Sequence, residues 1–161
     1  MSFALRNTAR LVSSARPALR AVQSRGYADE MAFTLAAANK VFYDATNVRQ
    51  VDVPSFSGSF GILPKHVPTL AILKPGVVTI YEQDGAAKKV FVSSGTITVN
   101  EDSSVQVLAE EAHPVEDLDS GACREILSNA QSQLSSASSE VERAEAGIAV
   151  EVAEALVKAA E

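Results

Sequence analysis

The period of the hydrophobic positions changes once along this chain, from two to between three and four, and the change falls near Pro114. Before it, apolar residues alternate in short runs. Val41 and Tyr43 flank Phe42, Val51 is followed by Val53, and Val77, Thr79 and Tyr81 interleave with Val78 and Ile80. Val90 and Val92 flank Phe91, Ile97 is followed by Val99, and Val105 by Val107. Turn-forming residues punctuate these runs at Asn39, Asp84-Gly85, Gly95 and Asn100 to Ser103, which sets the strands roughly 8–12 residues apart. Many short strands at that spacing predict an antiparallel β-sandwich or barrel. Several runs carry apolar side chains on both faces, so two packed layers with little polar face left over are expected.

After Pro114 the chain contains no proline and no aromatic residue, and Ala, Ser, Glu and Gln dominate. Ala122, Ile126, Ala130, Leu134 and Ala137 form one stripe at helical spacing; Val141, Ala144, Ile148, Val152, Ala155 and Ala159 form a second, with Leu156 beside it. Ser135 to Ser139 interrupt the pattern, and Ser139 followed by Glu142 reads as a capping box. The tail therefore predicts an antiparallel helical hairpin. A buried Leu or Ile contributes only about 1.5–3 kcal/mol, and this seam has few of them, so the hairpin must dock on something to be stable.

Charge divides the chain differently. Residues 1–27 hold five arginines, Arg6, Arg10, Arg16, Arg20 and Arg25, and no acid, whereas 28–161 hold nine basic and 20 acidic groups, a formal charge of 9 − 20 = −11. Arginines spaced among Ala, Leu, Val and Ser are the composition of a mitochondrial transit peptide, and they interrupt every apolar run that a secretory signal would need. The junction Arg25-Gly26-Tyr27-Ala28 resembles a matrix-protease site, giving three expected segments: a leader over 1–27, a β-sandwich domain over 28–114 and a helical hairpin over 115–161. A body this acidic is repelled by nucleic acid and by anionic lipid, so its expected partners are proteins. No apolar run is long enough to span a membrane.

Candidate chemistry is sparse. The lone Cys123 allows no intrachain disulfide, and the two histidines, His66 and His113, stand apart without the spacing of a metal site. Neither has a nucleophile signature beside it, and no phosphate-binding loop or nucleophile elbow occurs. The carboxylates Glu110-Glu111, Glu116-Asp117 and Asp119 read as solvated turn charges. No catalytic residue, cofactor or metal is expected. What stands out is residues 56–76, FSGSFGILPKHVPTLAILKPG, where Gly58, Gly61, Pro64, Pro68 and the Pro75-Gly76 turn brace an irregular connection. Its apolar members Phe60, Ile62, Leu63 and Val67 stand beside Lys65 and His66, an arrangement suited to pressing on a partner or on its own core.

Four blocks in order now carry a resemblance. They are Gly58, Gly61, Ile62, Leu63, Pro64, His66 and Pro68; Leu73 to Val78; Phe91 to Gly95; and Val105 to Ala112, leading into Glu116 to Asp119. With these residues the chain, from about Met31 to its end, resembles the subunit family that comprises the mitochondrial delta and the bacterial and chloroplast epsilon subunits of rotary F-type ATP synthases. The resemblance implies a two-sheet sandwich followed by a helical hairpin, without chemistry of its own. It implies a place in the central stalk on the matrix side of the mitochondrial inner membrane, binding the gamma subunit, the proteolipid ring and the small mitochondrial epsilon subunit. It further implies that the loop from Gly58 to Pro68 faces the ring, with Ser59 and His66 in contact and Phe60 and Lys65 as neighbours. Ser59 stands where some bacterial relatives have a carboxylate. Glu140 with Arg143-Ala144 echoes only part of a bacterial ATP-binding pattern, so nucleotide binding is not expected. A freestanding matrix adaptor or regulatory nucleotide-binding module of the same fold is the alternative.

Overall fold

The structure is a computed structural model that describes residues 30–161; the expected leader and its junction at Ala28 lie outside the described residues. Nine strands come first: β1 Met31–Ala37, β2 Val41–Ser55, β3 Gly58–Ile62, β4 Thr69–Leu73, β5 Gly76–Glu82, β6 Ala87–Val92, β7 Gly95–Val99, β8 Val105–Ala109 and β9 Ala112–Pro114. A single 3-10 turn, Val115–Asp117, leads into helices α1, Ser120–Ser136, and α2, Glu140–Ala159.

Strand β2 explains how nine strands make two layers. It is 15 residues long. Its first half pairs with β1 (Met31 opposite Val48, Leu35 opposite Tyr43), its middle with β5 and its end with β3. The register slips between Phe33 and Leu35, and there Ala45 takes a left-handed φ of 44° while its N–H donates to Thr34 Oγ1 at 3.1 Å. This bulge bends β2, which lets one strand serve both layers. One layer runs β1-β8-β7-β4 and the other β3-β2-β5-β6-β9, joined where β2 meets β1 and where Ser55 meets Leu73. All pairs are antiparallel except β1 with β8, which run parallel, a departure from the purely antiparallel expectation. β1 and β8 run side by side in the same direction, which the long chain between them permits.

Between the layers lies an apolar core containing Phe33, Leu35, Ile62, Leu73, Ile80 and Ile97, all essentially inaccessible to solvent. The strands earn this position by alternation: in β8, Val105, Val107 and Ala109 are buried while Gln106 and Leu108 face out. Ser55 is the one buried polar side chain among the described residues, and its Oγ donates to the Gly58 carbonyl at 2.6 Å, closing the β2–β3 turn.

The helices form a hairpin with well-made starts. Asp119 caps α1 by accepting from the Gly121 and Ala122 N–H groups at 2.7 and 3.3 Å. The expected capping box of α2 is present, with the Glu142 N–H donating to Ser139 Oγ at 3.1 Å and the Ser139 N–H to the Glu142 carboxylate at 3.2 Å. The seam differs from the expected stripes. Cys123 and Ala130 of α1 and Ala146 and Ala153 of α2 are buried, whereas Ala122, Ile126, Val141, Ala144 and Ile148 are exposed. Leu127 and Leu134 of α1 and Val150, Val152, Leu156 and Val157 of α2 are half-buried, so the branched side chains divide between the covered and the exposed faces of the hairpin. α2 lies against β5.

Candidate partner-binding surface

The outer face of the β1-β8-β7-β4 layer is where the sequence leaves apolar groups in water. β4 reads Thr-Leu-Ala-Ile-Leu, apolar on both faces; Leu73 points into the core and Leu70 and Ile72 point out, 75% and 62% exposed. Register aligns Ile72, Thr96 and Leu108 in one row across three strands, and Leu70, Thr98 and Gln106 in the next. Leu108 is 57% exposed. Phe56, in the β2–β3 turn, is also exposed, and its N–H donates to the Ile72 carbonyl at 3.4 Å, which extends the apolar strip past the sheet edge. The expected two layers are present, and β4 and β8 alternate between buried and exposed positions, leaving Leu70, Ile72 and Leu108 on the outer face. Large apolar side chains left exposed together on one sheet face, interleaved here with Thr96 and Thr98, suit a surface for a partner.

The loop between β3 and β4 borders the same layer. Ser59 is exposed on β3, opposite Pro54. Phe60, opposite Val53, is partly buried against the core. Alternation along β3 sends the two side chains to opposite faces. Beyond β3, Leu63 to His66 make a tight turn in which the His66 N–H donates to the Leu63 carbonyl at 3.1 Å and Lys65 adopts a φ of 64°. The His66 ring is 6.2 Å from the Phe60 ring between centroids, and its Nδ1 lies 2.9 Å from the Val67 carbonyl oxygen. Thus Phe60 and His66 meet, Lys65 sits at the exposed tip beside them, and Ser59 projects from the other face of β3. Leu63 and Val67 flank the tip and are exposed.

Sequence reading singled out the loop and missed Leu70, Ile72 and Leu108. The signal was present in the unbroken Thr69 to Leu73 run, because an antiparallel strand with one solvated face should alternate and this one does not. Among the described residues, no group of three or more His, Cys, Asp or Glu side chains is placed to hold a metal ion, and no helix is long and apolar enough to cross a membrane. Cys123 is buried in the helical seam.

Two family descriptions match the chain: "ATP synthase, Delta/Epsilon chain, beta-sandwich domain" over residues 30–115, and "Metazoan delta subunit of F1F0-ATP synthase, C-terminal domain" over residues 118–159. Among curated proteins, the mitochondrial ATP synthase subunit delta of Caenorhabditis elegans is 47% identical over 149 residues, covering 86% of this chain and 91% of its own. That of Yarrowia lipolytica is 42% identical over 159 residues, covering 96% of each. Among solved structures, a chain of the Euglena gracilis mitochondrial ATP synthase, imaged with OSCP, F1 and the c-ring, superposes with a TM-score of 0.75 at 25% identity, covering 83% of this chain and 82% of that one. A chain of the central stalk and c-ring of the Tetrahymena thermophila enzyme shares the fold, with a TM-score of 0.60 at 14% identity over 81% of this chain and 96% of that one.

Proposed function

The chain belongs to the delta/epsilon subunit family of ATP synthases, in its mitochondrial delta branch, and from that premise we propose that it is the non-catalytic clamp at the foot of the central stalk. It is a rotor subunit of the mitochondrial ATP synthase, where proton flow through the membrane ring drives ATP synthesis. In this reading the sandwich is gripped by the gamma subunit on one side and rests on the proteolipid ring on the other. All three turn together on the matrix side of the inner membrane. The observation that carries the reading is the set of exposed apolar side chains on one sheet face, Leu70 and Ile72 on β4 and Leu108 on β8, with Phe56 exposed in the β2–β3 turn.

Torque transmission sets the physical demands. A contact that slips wastes rotation, so the interface must be large, on the order of 2,000 Å² or more, and the body between its contacts must be stiff. A two-layer sandwich with a continuous apolar core, bordered by a turn held at Pro64 and Pro68, meets the second demand. We assign the ring contact to the segment from Gly58 to Pro68, which comprises β3 and the turn after it, through Ser59 and His66 with Phe60 and Lys65 as neighbours. The outward side chains Ile126, Val141 and Ile148 of the hairpin offer a place for the small epsilon subunit.

Native electrophoresis of detergent-solubilised inner membrane tests this reading. The chain should migrate at fixed ratio with gamma and the ring, and threonine at both Leu70 and Ile72 should shift it to a free pool while its own melting temperature stays unchanged. Recovery of the unaltered chain chiefly in the soluble matrix fraction would overturn the assignment.

A further inference from the structure

The second layer ends on an edge that its last strand covers only in part. β9 is three residues long and pairs with β6 at Val92, Phe91 and Val90, opposite Ala112, His113 and Pro114. There the strand ladder stops, because Pro114 lacks an N–H, and the chain continues into the 3-10 turn, which lies beside β6. On its other side β6 stays paired to β5 as far as Ala87, with Lys89 opposite Thr79, Lys88 opposite Ile80 and Ala87 opposite Tyr81. The outer edge of Ala87–Lys89 therefore faces no strand.

Beside this edge opens a cleft of about 500 Å³. Phe42, Tyr43, Val90 and Pro114 form its apolar walls; Lys88, Lys89 and Glu116 stand at its rim. Two of the nine basic residues of an otherwise strongly acidic body, Lys88 and Lys89, line the cleft, and the Nζ of a third, Lys40, lies 5.3 Å from the centroid of the Phe42 ring that walls it. Lys88 is held by Glu82 at 2.8 Å, and the same carboxylate oxygen accepts from the Tyr43 hydroxyl at 3.0 Å. Among the described residues, neither Lys40 nor Lys89 has a carboxylate partner.

We infer that this edge receives an extended acidic segment of a partner protein, which adds a short strand along Ala87–Lys89. The segment seats an apolar side chain between Phe42 and Pro114 and sets its carboxylates beside Lys40 and Lys89. Each part of the site answers to one part of that ligand: the open edge to backbone amides, the cleft to an apolar side chain, the ammonium groups to carboxylates. Lysines alone could serve merely to keep a sheet edge from aggregating, but edge protection gives no reason for an aromatic cleft next to them. A free nucleotide would leave the strand edge unused, and no glycine-rich loop or helix start faces the cleft to hold its phosphates. The inference does not depend on the stalk role, and its failure would leave that role standing.

Amide NMR of the full chain, titrated with a capped synthetic hexapeptide of alternating Glu and Val, reads the site directly. The expected result is saturable shifts and slowed exchange confined to Ala87–Lys89 and the residues lining the cleft. Binding should be about tenfold weaker in the double variant K40E/K89E, whose spectrum elsewhere should match the parent. The corresponding Lys and Val peptide should produce no saturable change. Absence of binding by the acidic peptide, equal binding of the basic one, shifts that map to Leu70 and Ile72 instead, or the same shifts with MgATP alone would each overturn it.

Discussion

At the scale of single residues, two positions carry more than their size suggests. Gly95 opens β7 where that strand passes β8, and a Cβ placed there would overlap the Leu108 carbonyl oxygen and lie 2.8 Å from the Ala109 Cα. Both obstacles are backbone, so neither can swing away. Gly95→Ala should cost roughly 2–4 kcal/mol, measured by denaturant unfolding of the chain. Tyr43 is the second. Burial, then its hydrogen bond to Glu82 and the nearby carboxylate charge, push its phenol up to about 12 from 10.0. Because the folded value is the higher one, the contribution of neutral Tyr43 to stability is complete below pH 10 and fades as pH rises through about 12. Ultraviolet titration should accordingly show a tyrosine step near 12 that disappears in Tyr43→Phe. The sequence placed Tyr43 on a strand, but nothing local foretold Glu82, 39 positions away, as its partner.

Among elements, the strands were the most legible and the helix seam the least. Period-two runs located β2, β5, β6, β7 and β8, because each inward side chain is apolar, but residues 56–76, read as an irregular connection, contain the strands β3 and β4. What periodicity could not supply was which outward apolar face would remain uncovered, since Leu70 and Ile72 look like core until neighbouring strands are placed. Nor could it settle the hairpin face. α1 and α2 are so rich in alanine that several stripes are apolar; Cys123, Ala130, Ala146 and Ala153 are the members that end up buried, while Ile126 and Ile148 stay exposed. The cap of α2 was legible, because Ser139 and Glu142 carry the pattern themselves. Ser139→Ala should destabilise the hairpin by about 1 kcal/mol, seen as faster amide exchange in the first turn of α2. Hydrogen bonds from the Ser138 N–H first, then the Ser138 hydroxyl and Ser139 N–H, hold the Glu142 carboxyl below its ordinary 4.5. That support is full above 4.5 and is lost as pH falls through the lower folded value, so protection of the same turn against exchange, relative to the free-chain rate at each pH, should fall on acidification. Removing the chain beyond about Ser120 should leave a sandwich that still unfolds cooperatively, because its core lies wholly between the two sheet layers.

Across the described residues the molecule is a two-layer sandwich followed by a helical hairpin. An apolar core between two bonded layers resists shear, and the surfaces left over are of the kind that partners cover: an apolar sheet face, a loop braced by prolines, and an outward helical face. The ring-facing role of Ser59, Phe60, Lys65 and His66 came from resemblance to a family, and geometry adds that Phe60 and His66 meet while Ser59 projects from the other face of β3. Lys65→Glu, or a bulky residue in place of Ser59, should weaken coupling between ATP hydrolysis and proton movement without lowering the melting temperature of the isolated chain.

The account turns on whether rotation is transmitted through this subunit, and ATP-driven proton pumping by inverted inner-membrane particles measures that most directly. Particles stripped of the chain should hydrolyse ATP without acidifying their interior, and adding back the mature chain should restore pumping in proportion to the amount bound. Full pumping by stripped particles would contradict the account.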